Sequence, residues 1–97
     1  MIGVAESDVA IVSVGAAVPD RILTNDEISL RVETDDAWIR ERTGIRERRI
    51  AADGETVTTM AIAAAQQAID RADMAPAEID LVLAATASPE RAFPSIA

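Results

Sequence analysis

The sequence predicts an α/β fold, and three observations carry that prediction. Two apolar stretches, Val9–Ala16 and Ile79–Thr86, have strand character, and a long helix-forming segment opening at Thr56 lies between them. Val9-Ala10-Ile11-Val12-Ser13-Val14-Gly15-Ala16 is rich in β-branched residues, which pack well on a pleated surface. Ile79-Asp80-Leu81-Val82-Leu83-Ala84-Ala85-Thr86 is almost continuously apolar, as in a strand covered on both faces within a parallel sheet. Together they predict a β–helix–β unit with a right-handed crossover. One main helix cannot cover both faces of such strands, so the unit is expected to be incomplete as an isolated chain.

Met1–Asp8 has no period and is expected to be a loose end. Pro19-Asp20 closes the first strand. Thr24 and Glu27 have capping-box spacing, and Leu23 with Ile28 has that of a hydrophobic staple, so a helix should start there and run to about Val32. A second short helix follows, with Thr34 as its expected cap. Asp35 and Asp36 lie at its positive end, Arg40 and Arg42 at its negative end, and Gly44 suits a left-handed stop. Ile45–Ile50, charged at nearly every interior position, is expected to be extended, at a sheet edge or over the surface.

Asp53-Gly54 marks a turn, and Thr56 should cap the longest helix, which runs through Met60, Ile62, Ala65, Ile69 and Ala72. Gln66, Gln67, Asp70 and Arg71 cluster on its wet side, and Ala61, Ala64, Ala65, Ala68 and Ala72 let a backbone come close. The helix should end near Asp73, with a turn or short helical piece over Pro76–Asp80. Thr86–Ala97 is expected to be a loop with Phe93 as its bulky group. No repeat, low-complexity segment or interdomain linker is visible.

At 97 residues the chain is at most one small unit. Its single Trp and single Phe leave Ala, Val, Ile and Leu to build the core. No apolar run is long enough to cross a membrane, and the N-terminus lacks a secretory pattern, so a soluble cytoplasmic protein is expected. Without Cys there is neither disulfide nor thiol chemistry, and without His the commonest general base is missing. The carboxylate pairs Asp26-Glu27 and Asp35-Asp36 fall in first turns, where a structural role fits better than acid–base work. A net charge of −8 argues against nucleic-acid binding, and neither a metal-ligand cluster nor a Gly-rich phosphate loop is present.

One stretch runs against that acidity. Arg40–Arg49 holds five arginines and two glutamates, a net +3 that leaves −11 on the remainder of a chain of −8. Such a patch attracts anions. Trp38 and Arg42 are four apart and share a helix face, where an indole and a guanidinium can hold a purine by stacking while the Arg answers a phosphate. A plain packing role for both side chains fits the same spacing.

The run Thr34–Arg49, with Trp38-Ile39 and Arg42-Thr43-Gly44-Ile45-Arg46-Glu47-Arg48, resembles the N-terminal signature of the β-ketoacyl-acyl-carrier-protein synthase III family. Val14-Gly15, Val18-Pro19, Leu23-Thr24-Asn25, Glu55-Thr56-Val57, Ala84-Ala85-Thr86 and Ala92-Phe93-Pro94-Ser95 extend the resemblance in order along the chain. Where the family usually has glycine near the end of the long helix, this chain has Asp73.

The resemblance implies a thiolase-like, five-layered α/β/α/β/α fold. Residues 1–97 would form the opening of its first half, with the second half absent. It implies an acyltransferase of fatty-acid synthesis that condenses acyl-coenzyme A with malonyl-acyl carrier protein, working as a homodimer without a cofactor. Trp38 and Arg42 would sandwich the adenine of coenzyme A with Thr34 beside it, and Phe93 would cross the dimer to shape the partner's acyl pocket. The family's catalytic Cys, His and Asn all lie beyond Ala97, so no catalytic residue is expected here and the chain alone should be inactive. A stand-alone, non-enzymatic acidic module binding a nucleotide or partner through its Arg patch is the alternative. A condensing enzyme of polyketide or quinolone synthesis would share the fold.

Overall fold

The computed structural model describes residues 9–89 and 91. Its elements in order are β1 (Arg21–Thr24), α1 (Asn25–Ser29), α2 (Asp36–Thr43), β2 (Glu47–Ile50) and α3 (Val57–Arg71), then a 3-10 turn over Pro76–Glu78. β1 and β2 form a two-stranded antiparallel sheet in which Arg21 faces Ile50 and Thr24 faces Glu47. The expected extended segment before Ile50 is therefore a strand. Its partner, β1, lies where the sequence suggested only a loop and the approach to a helix.

α1 begins as the spacing predicts. The Thr24 hydroxyl accepts the Glu27 N–H at 3.2 Å, and the Glu27 carboxylate accepts the Thr24 N–H at 2.9 Å. The helix stops at Ser29, short of Val32; Arg31 and Val32 N–H groups both return to the Ile28 carbonyl in a turn. α2 ends as expected at Gly44, whose φ of 72° is left-handed. Its start differs. Asp35, not Thr34, is the cap, its carboxylate accepting the Trp38 N–H at 2.7 Å. A charged acceptor at the dipole's positive end makes the stronger bond, so the helix starts one residue later than Thr34 would have set it.

α3 is capped by Thr56, with Thr59 closing the reciprocal box, and its path turns at Asp73 with a φ of 54°. Asp73 thus adopts the conformation expected of the glycine it replaces. The close approach promised by the alanine face is made by Gly15. A Cβ there would come within 3.0 Å of the backbone at Ala64 and Ala68. Ser13 Oγ donates to the Ala68 carbonyl at 2.6 Å, and the Arg71 guanidinium to the Val14 carbonyl at 2.9 Å. Gln67 is not purely on a wet side: its amide oxygen accepts the Ala16 N–H at 3.0 Å.

The two strands expected to flank α3 do not form. Neither Val9–Ala16 nor Ile79–Thr86 is a strand among the described residues, so the predicted β–helix–β sheet is absent. Both segments lie along α3, the second across a groove of about 360 Å³ lined by Ala61, Ile62, Ala65, Val82 and Leu83. A strand needs a hydrogen-bonded neighbour, and so apolar a one needs a covering layer as well, yet Ile11 and Leu83 remain 89% and 87% exposed. The architecture is therefore a partial α/β unit, a small sheet with helices. Met1–Asp8 and Phe93, for which the sequence raised expectations, lie outside the described residues.

Candidate functional site

α2 carries Arg40 and Arg42 of the arginine-rich stretch, Arg46 follows it, and Arg48 and Arg49 lie in β2. Ile39 is the buried hydrophobic side chain among the described residues, and Asn25, at 1% exposure, the buried polar one. The Asn25 amide nitrogen donates to Asp36 Oδ1 at 2.9 Å and to the Ile45 carbonyl at 2.7 Å. Its oxygen accepts from the Arg48 guanidinium at 2.9 Å, and its backbone N–H reaches the Arg46 carbonyl at 3.3 Å. Every polar group of this buried side chain is satisfied.

The arginines divide by task. Arg48 serves Asn25, and Arg49 donates to the Pro19 carbonyl at 3.0 Å. Arg40 meets Asp36 one turn away at 3.4 Å on the open surface, a contact worth little by itself. Asp36 is held below the usual carboxylate range, chiefly by the Asn25 hydrogen bond and further by Arg40. Among the described residues Arg46 makes no side-chain hydrogen bond or ion pair, and Arg42 lies on the indole of Trp38, 4.9 Å from the ring centroid. So only part of the +3 patch is free for an external anion. The carboxylate pairs act structurally: Asp35 caps, Asp36 anchors and Glu27 closes a box.

Trp38 is 53% exposed although Arg42 lies over one face. About half of the residue therefore stays open to solvent, and part of it lines a groove. This groove, of about 580 Å³, is also lined by Ile28, Val32, Thr34, Asp35 and Ile39. The Thr34 hydroxyl is buried in this lining without a hydrogen-bond partner among the described residues. An orphaned hydroxyl beside a half-exposed indole suits a flat ligand with polar edges. Thr34 and Trp38 line one groove, and Arg42 lies over the indole. The indole and guanidinium touch, so no space for a ring remains between them.

No family model matches the chain. The β-ketoacyl-[acyl-carrier-protein] synthase III of Hyphomonas neptunium is 52% identical over 83 residues, which are 86% of this chain and 26% of that protein. The crystal structure of 3-oxoacyl-[acyl-carrier-protein] synthase III from Aquifex aeolicus superposes with a TM-score of 0.85 at 45% identity, over 89% of this chain and 28% of that one. This chain is a relative of the β-ketoacyl-[acyl-carrier-protein] synthases III. It spans about a quarter of the length of those synthase III relatives. The priming β-ketosynthase of the R1128 polyketide pathway is also similar, with a TM-score of 0.69 at 41% identity over 72% of this chain and 21% of its own.

Asn25 lies within the stretch that resembles synthase III, but nothing in its local sequence marks it as buried. An asparagine just after a helix cap looks like ordinary turn chemistry. The one signal was its place in Leu23-Thr24-Asn25, where the resemblance already ran.

Proposed function

We propose that this chain is the opening segment, in the first thiolase-like half, of a β-ketoacyl-acyl-carrier-protein synthase III, and that it supplies the surface on which the adenine of an acyl-coenzyme A rests. The observation that carries the reading is the half-exposed Trp38, backed by Arg42 and flanked by the unpartnered Thr34 hydroxyl. The purine stacks on the open indole face. Arg42 braces the other face and offers positive charge toward the phosphates, and Thr34 meets a polar edge of the ring. Ordering the carrier end of the substrate positions the distant thioester for attack.

The condensation joins that acyl group to malonyl-acyl carrier protein in a cytoplasmic homodimer, with no cofactor. The nucleophile is a Cys outside this chain, assisted by His and Asn, and Phe93 crosses to the partner's acyl pocket. With no Cys or His of its own, the isolated chain should release no coenzyme A from acyl-coenzyme A and form no condensed product. The likeness to the R1128 priming ketosynthase supports a second reading, a condensing enzyme that primes polyketide synthesis on the same fold. The carrier protein that accepts the acyl group separates the two.

The test is Trp38→Ala in the full-length protein. Losing a stacked base should raise KM for an acyl-coenzyme A by about tenfold or more. The acyl-pantetheine thioester, which lacks adenine, should be used as before. An equal effect on both substrates would remove the adenine surface.

A further inference from the structure

We propose that Asn25 is a positioning residue for this surface, a buried amide that fixes both ends of the helix carrying Trp38 and Arg42. The inference rests on the adenine reading above. α2 is only eight residues long, and Ile39 is its one buried residue. Its first residue, Asp36, accepts one Asn25 amide hydrogen, and Ile45, just past the Gly44 stop, accepts the other. The same side chain's oxygen takes a guanidinium hydrogen from Arg48 in β2. Asn25 itself is the first residue of α1, directly after the last residue of β1. One side chain therefore joins α1, both ends of α2, and β2.

The chemistry selects asparagine. Ala leaves the Asp36 carboxylate, the Ile45 carbonyl and the Arg48 guanidinium each without the Asn25 bond, and nothing but solvent at the half-exposed edge of the site can replace it. Asp keeps the Arg48 bond but sets a carboxylate against Asp36 and against a carbonyl, with no hydrogen to give either. In either case α2 loses its anchors. Trp38, two residues past Asp36, then no longer holds its ring where a purine can stack, because a displacement of about 1 Å at a positioning contact is enough to lose much of its effect.

The experiment measures kcat/KM of the full-length protein for acetyl-coenzyme A and for acetyl-pantetheine. Asn25→Ala should lower the ratio of the first to the second about tenfold. Asn25→Asp should lower it as well, and the exchange Asn25→Asp with Asp36→Asn, which restores a donor–acceptor pair across the gap, should recover part of the loss. A merely structural role lowers both substrates alike and leaves the ratio unmoved; that result overturns the proposal. If Asn25→Ala does not fold, Asp36→Ala, which cuts one of the Asn25 links together with the exposed Arg40 contact, is read the same way. Trp38→Ala in parallel separates the two claims. If it lowers the ratio and the Asn25 variants do not, positioning fails alone; if it leaves the ratio unchanged, the adenine reading fails first.

Discussion

Thr34 shows how much a single cap decides. Asp35 takes the Trp38 N–H, so the Thr34 hydroxyl is left without a partner at the edge of the groove. Asp35→Ala should cost about 1 kcal/mol of stability and pass the capping role back to Thr34. A denaturant titration reads the first effect, and weaker coenzyme A binding the second. Two carboxyl groups set a pH dependence. Glu27 is held below its ordinary range mainly by the Thr24 N–H, and Asp36 mainly by Asn25. Both are depressed in the folded state, so the unfolded chain binds their protons more readily. Their contribution is full above the ordinary carboxylate range and is lost as pH falls through the lowered folded values. Unfolding midpoints measured from pH 7 down to pH 2 should therefore decline on the acid side, and less steeply in Asp36→Asn.

Among the elements, α3 shows where sequence reasoning held and its flanking segments show where it did not. Thr56, the alanine face and the Asp73 turn are local features, set by spacing and backbone preference, and all were legible. Asp73→Gly should stabilise the helix end by about 1 kcal/mol, seen as a higher unfolding midpoint. Gly15→Ala should do the opposite and more strongly, because its Cβ meets α3 backbone, which cannot move aside as a side chain can. The strands on either side were misread for a reason at a larger scale. Periodicity reports what a segment would bury, and a ladder depends on a neighbour that the segment's own residues do not specify. β1 was missed by the same logic in reverse. Arg21-Ile22-Leu23-Thr24 is unremarkable alone and becomes a strand because Glu47–Ile50 lies opposite. The candidate site was legible in part: Trp38 and Arg42 follow from helical spacing, whereas Asn25 draws together residues as far apart as Asp36 and Arg48.

At the scale of the whole molecule, the radius of gyration over Cα atoms is 18.9 Å, against about 13 Å for a compact domain of this length. Val12, Val14, Leu30, Leu81 and Leu83 are exposed, and α3 has no fully buried residue. So much open apolar surface should drive the isolated chain to self-associate. Sedimentation should show concentration-dependent oligomers, reduced by Leu83→Glu, and a monodisperse monomer would contradict that. The central claim concerns one aromatic face, and Trp38 fluorescence tests it most directly. In the full-length protein, the signal that Trp38→Phe removes should be saturably quenched by coenzyme A and untouched by pantetheine. If coenzyme A leaves that signal unchanged, or pantetheine quenches it equally, adenine does not rest on Trp38.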